Sequence, residues 1–159
     1  MTKSRWHFNP PFSYHTLEVG PFPLYGDNEY RFDLSKLKMD RRWEVMIYYS
    51  FAFPNEDSES HKALLEANNL ELDIWNGEIL VYSFRGCVPF GEYGGKKLPN
   101  GKYKFRVPKE KLIKGDYCLS KNEINKKCKG RLRIHSRTPS DSRDAKATVT
   151  FCLEELTSK

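Results

Sequence analysis

From Arg42 to Phe53 the chain sets an aromatic or branched apolar residue at every second position: Trp43, Val45, Ile47, Tyr49, Phe51 and Phe53. A side-chain period of two marks an extended strand with one face against a core. A stripe of this length needs a second layer to cover it, which points to packed sheets. The opposite face, Glu44, Met46, Tyr48, Ser50 and Ala52, is only partly polar.

Other segments follow the same rule. Glu29–Leu34 alternates, with Tyr30, Phe32 and Leu34 on one side. Lys102–Val107, Arg131–Arg137 and Ala145–Leu156 read as further strands, the last with Val149, Phe151 and Leu153 inward. Leu70–Trp75 and Glu78–Phe84 flank Asn76-Gly77, a preferred two-residue hairpin turn. That turn predicts Trp75 opposite Glu78, Ile74 opposite Ile79 and Leu72 opposite Val81. Leu70, Leu72, Ile74, Ile79 and Val81 then form a core face, and Trp75, Leu80, Tyr82 and Phe84 share the other with Glu71 and Asp73. Pro10, Pro11, Pro21 and Pro23 make the first 25 residues a loop and an irregular edge strand. One short helix is expected, capped by Ser58 or Ser60 and ended by Asn68-Asn69. Gly86–Gly101 reads as a long glycine-rich loop.

The motif Leu-x-x-Gly-x-Tyr occurs twice, at Leu98–Tyr103 and Leu112–Tyr117, each at the mouth of a strand. It resembles the tyrosine corner of Greek-key sandwiches, where glycine permits the bend and the tyrosine hydroxyl satisfies a backbone group. With the Asn76-Gly77 hairpin, it makes residues 70–120 similar to small bacterial immunoglobulin-like sandwiches. The Cys-Trp-Cys framework of antibody domains is missing, so their recognition loops do not carry over. The fold class expected is all-β: a Greek-key, immunoglobulin-like β-sandwich of seven to nine strands with one short helix. Residues 1–159 are expected to form a single domain.

Charge is distributed unevenly. Residues 1–95 hold nine Lys/Arg against fourteen Asp/Glu, a net −5; residues 96–146 hold seventeen against five, a net +12. Alternation sends Lys102, Lys104 and Arg106 outward on one strand, and Arg131, Arg133, His135 and Arg137 outward on another. If these strands are neighbours, six cations share one surface, supplemented by Lys126, Lys127 and Lys129. Such a face attracts carboxylates or phosphates. A solvated sheet face is the alternative. Trp75, Leu80, Tyr82 and Phe84 form either an exposed protein- or carbohydrate-binding stripe or a surface covered by another segment.

Catalysis and cofactors find no support in the sequence. His7, His15, His61 and His135 have no partner at metal-ligand spacing, and neither a Gly-x-Ser-x-Gly elbow nor a phosphate loop is present. Glu56-Asp57 and Asp141-x-x-Asp144 read as turn residues in preference to calcium ligands. Cys87, Cys118, Cys128 and Cys152 read as small buried or half-buried thiols in preference to disulfides, although Cys118 with Cys128 could staple a strand to the loop after it. The expectation is therefore a non-enzymatic binding module with no metal or cofactor. Its partner is an acidic protein, met through Lys102, Lys104, Arg106, Arg131, Arg133 and Arg137, with Trp75 and Tyr82 as aromatic contacts. Nucleic acid is the main alternative, with Phe90 and Tyr93 stacking bases; carbohydrate and anionic membrane rank below it. With no apolar leader at its start, the chain as given reads as cytoplasmic, or as exported if a leader was removed.

Overall fold

The computed structural model describes residues 2–9, 12–24, 26–37, 43–53, 68–87, 96–97, 103–107, 109–116, 118–136 and 145–155. They form β1 (Thr2–Asn9), β2 (Phe12–Pro23), β3 (Asp27–Asp33), β4 (Trp43–Ala52), β5 (Asn68–Asn76), β6 (Ile79–Gly86), β7 (Lys96–Lys97), β8 (Tyr103–Phe105), β9 (Cys118–Ser120), β10 (Cys128–Ser136) and β11 (Lys146–Glu155). Of these, β8 falls within the expected strand Lys102–Val107 and β9 follows the second Leu-x-x-Gly-x-Tyr motif, while the two-residue β7 has no counterpart in the sequence reading. Two antiparallel sheets result. One runs β1-β2-β11-β4-β8-β7, with β9 also pairing β4; the other runs β3-β10-β5-β6. The chain is a β-sandwich. The proposed helix lies outside the described residues, as does most of the glycine-rich loop.

The long alternating run does what its period demands. Val45, Ile47, Tyr49 and Phe51 of β4 are fully buried, and Val149, Phe151 and Leu153 of β11 join them from the next strand. The second sheet contributes Leu70, Leu72, Ile74, Leu132, Ile134 and Phe32 to the same core. Aromatic rings tie the layers: Phe32 meets Phe151 at 6.1 Å between centroids, and Tyr49 meets Phe84 at 5.9 Å. The first 25 residues are more regular than their prolines suggest. β1 and β2 pair residue for residue from Thr2 opposite Val19 to Asn9 opposite Phe12, with both interior prolines at the far end of β2.

The β5–β6 hairpin differs from the register read in the sequence. Asn76 pairs with Ile79, so Gly77 and Glu78 form the turn, with Gly77 at φ 64°. A bulge follows, since Trp75 pairs with Leu80 but Ile74 pairs with Tyr82, leaving Val81 as the extra residue. A shift of one position exchanges the faces of a strand. Tyr82 and Phe84 therefore point into the core, at 1% and 3% exposure, while Ile79 is 69% exposed. The hydroxyls of Tyr82 and Tyr49 lie 2.7 Å apart within the core, so each phenol finds a partner where water is absent.

Gly115 of the second Leu-x-x-Gly-x-Tyr motif has φ 94°, and a Cβ there would lie 2.6 Å from the carbonyl oxygen of Val81. Its lack of a side chain lets residues 113–115 close the edge of β6: Ser83 N–H donates to Lys114 O at 3.0 Å, and Ile113 N–H to Ser83 O at 2.9 Å. The first-copy glycine, Gly101, and Tyr117 lie outside the described residues. All four cysteines are free thiols, so Cys118 and Cys128 are not bridged.

Two outcomes follow for stability. Gly115→Ala combines strain with a backbone clash and lowers unfolding free energy by about 2–4 kcal/mol in denaturant titration. Gly77→Ala, where a Cβ meets nothing within 4 Å, carries only the left-handed penalty of about 1–2 kcal/mol. Burial pushes the phenols of Tyr49 and Tyr82 upward. A phenol raised on folding stabilises fully below the unfolded value near pH 10, and that contribution falls away as pH rises further. Stability measured from pH 9 to 11.5 should fall, and the fall should be shallower in Tyr49→Phe/Tyr82→Phe.

Candidate functional site: a charged sheet face and a lysine turn

The outer face of the four-stranded sheet is built from alternate residues of all four strands. Register places Arg31, Arg131, Asp73 and Ser83 in one transverse row, and Glu29, Arg133, Glu71 and Arg85 in the next. Asp27 and His135 share a third row, and Asp33, Lys129, Trp75 and Leu80 a fourth. Opposite charges on neighbouring strands stabilise the sheet, as cross-strand pairs do generally. The acids that Arg131–Arg137 lacks in sequence arrive from β3 and β5.

At the centre is Asp73, whose side chain is 3% exposed. It accepts a hydrogen bond from Ser83 Oγ at 2.6 Å and another from Arg131 Nη2 at 2.8 Å. The Arg131 guanidinium also lies over the Trp75 ring, 5.2 Å from its centroid. Its buried Nε faces Glu29 Oε1 at 3.9 Å, too far for a hydrogen bond. Glu29 instead accepts from Arg133 Nε at 2.8 Å, and Arg133 reaches Glu71 at 3.8 Å. The Arg133 bond, helped by Arg31, holds the Glu29 carboxyl below its usual range and raises the Arg133 guanidinium in return.

These pairings correct two expectations. β8, which carries Lys104, belongs to the seven-stranded sheet, and β10, which carries Arg131 and Arg133, belongs to the other. The two strands are not neighbours, so Lys104 does not share a sheet with Arg131 and Arg133; Lys102 and Arg137 lie outside the described residues. Arg106 is exposed next to β8. Tyr82 cannot serve as a surface contact, because the bulge at Val81 turns it into the core. Trp75 is half-buried beneath Arg131 and does not offer an open ring platform.

A different basic feature stands at one end of the sandwich. Residues 121–127 cross from β9 in one sheet to β10 in the other, and Ile124 is fully buried between them. Asn125 organises the turn: its side chain donates to Lys121 O at 3.0 Å and accepts from Lys127 N–H at 3.0 Å. Asn76, at the tip of the β5–β6 hairpin, donates to Asn122 O and Glu123 O at 3.1 and 3.3 Å. Glu123 is occupied by Ser120, whose hydroxyl lies 3.1 Å from its carboxylate. Lys121, Lys126 and Lys127, with Asn122 and Asn125, line an open concavity of about 300 Å³. None of the three lysines has a carboxylate within 4 Å among the described residues. Exposed Ile79 adjoins this turn through its pairing with Asn76, and half-buried Leu80 lies on the other side of the hairpin tip.

Lys126 and Lys127 were visible in the sequence as part of a lysine-rich loop. Lys121 has no signal of its own in the sequence, and Ile79, expected on the core face of the hairpin, is instead exposed at its tip. Among the described residues, no group of three or more His, Cys, Asp or Glu side chains could hold a metal ion. No described helix is long and apolar enough to cross a membrane.

Removing the Asp73 charge would leave the Arg131 guanidinium largely buried without its carboxylate. Asp73→Asn should therefore lower stability by about 2–4 kcal/mol in denaturant titration. Arg31→Ala, whose side chain is 73% exposed, should leave the midpoint nearly unchanged. No protein-family model, no curated protein and no solved structure matches this chain, so residue chemistry and geometry carry the assignment of its site.

Proposed function

We propose that this chain is a non-catalytic binding module of Greek-key, immunoglobulin-like construction that engages an acidic protein surface through its lysine turn. The observation that carries the reading is the contrast between two basic regions of the described surface. Arg131 and Arg133 are matched by Asp73, Glu29 and Glu71, whereas Lys121, Lys126 and Lys127 project from a turn fixed at both ends with no described carboxylate within 4 Å, the turn's own Glu123 being held by Ser120. A pre-shaped turn loses little conformational freedom on binding. Unmatched lysines speed encounter with an anionic partner and select against a cationic one.

Ile79 decides between partner classes. A protein interface wants an apolar contact surrounded by polar groups, and this exposed isoleucine pairs with Asn76, whose amide bonds the backbone of the lysine turn. Nucleic acid instead favours cations continuous along a groove and aromatic rings open for stacking. On the described surface the arginine rows are interrupted by acids, and Trp75 is covered by a guanidinium. An accessory, inhibitory or immunity-type role is consistent with a rigid module of this kind.

The test is affinity capture with chemical cross-linking of bound proteins, run in parallel with salt-titrated binding to labelled single-stranded and duplex DNA. A specific acidic protein should cross-link to the lysine turn. Its association should slow by about tenfold or more at low salt in Lys126→Glu/Lys127→Glu, and its dissociation should quicken in Ile79→Ser. Tight DNA binding that weakens steeply with salt, and is insensitive to Ile79→Ser, would replace this reading with the nucleic-acid one.

A further inference from the structure

The two sheets treat their edges differently. β3, at one edge of the four-stranded sheet, carries Asp27, Glu29, Arg31 and Asp33, a mixture of charges typical of a protected edge. The β6 edge is closed at Ser83 by Ile113 and Lys114. β1 ends the seven-stranded sheet, and among the described residues it pairs with a strand on one side alone. Its register with β2 is unbroken over eight residues, with Lys3 opposite Glu18, and it contains no proline or acid. Lys3 and Arg5 are exposed on one face, and Trp6, 56% exposed, lies on the other.

An antiparallel edge directs alternate N–H and C=O groups outward, ready to accept another strand. Charge decides which strand fits. Two copies pairing about a two-fold axis centred on Ser4 would set Lys3 against Arg5, and an axis centred on Arg5 would set Arg5 against itself. Both arrangements oppose like charges at directly facing positions. A segment with Asp or Glu at those positions meets no such penalty.

We propose that the β1 edge accepts an extended acidic segment of a partner protein as an additional strand, with its carboxylates opposite Lys3 and Arg5 and apolar residues on the side of Trp6. Backbone pairing supplies affinity and the alternate side chains supply selectivity. This surface is separate from the lysine turn, and the inference stands whether or not that turn binds a protein.

The experiment uses a short peptide of alternating Glu and Val, a Lys/Val peptide of the same length, and a Glu/Val peptide N-methylated at alternate residues. Binding to the full chain is read by amide hydrogen exchange and by affinity. The Glu/Val peptide should slow exchange within Thr2–Asn9 at least tenfold. N-methylation of the peptide, or Lys3→Glu/Arg5→Glu in the protein, should each weaken binding at least tenfold, whereas Lys126→Glu/Lys127→Glu should leave the protection of β1 in place. Equal binding of the Lys/Val or N-methylated peptide would overturn the proposal, as would binding without protection of β1. Concentration-dependent protection of β1 in the peptide-free protein would also overturn it, by making a second copy the occupant.

Discussion

The hydroxyls of Tyr49 and Tyr82 meet 2.7 Å apart in the core, and much of the second sheet is arranged by the register that allows them to meet. For Tyr82 to face inward, β6 carries one extra residue at Val81. Beyond that bulge, Ser83 falls opposite Asp73, and Asp73 can then hold the Arg131 guanidinium through its second oxygen. Before the bulge, the same hairpin places Asn76 where its amide reaches the backbone of the lysine turn. A buried pair of phenols is thus connected to the neutralised sheet face and to the position of the proposed binding site.

The period of two was legible wherever a strand buries one face. β4 and β11 could be read from residue order alone, because their alternation extends over most of ten residues and burial of one face leaves a single register open to each. The hairpin was legible in its location but not in its pairing. The turn forms at Gly77-Glu78, and β6 then takes up an extra residue at Val81, a bulge that the local sequence does not announce. Tyr82 was consequently placed on the wrong face.

Net charge misled for a related reason. Arg131 and Arg133 sit in a strongly basic stretch of sequence, yet a sheet mixes residues that are distant in the chain. Glu29 is about a hundred positions from Arg133 and bonds to it directly. Charge asymmetry along the sequence became local neutrality across strands. Among the described residues one exception is the turn at 121–127, where the lysines leave the sheets and no neighbouring strand supplies acids. What could be foreseen was an excess of cations; where they would remain unmatched depended on strand order.

The most direct measurement is a chemical-shift map of the full chain titrated with a polyglutamate peptide at low salt. The account predicts that the largest changes fall on residues 121–127 and on Ile79, with little change at Arg131 and Arg133, whose charges are already paired. Changes concentrated on Arg131 and Arg133, or spread evenly over all surface cations, would contradict it.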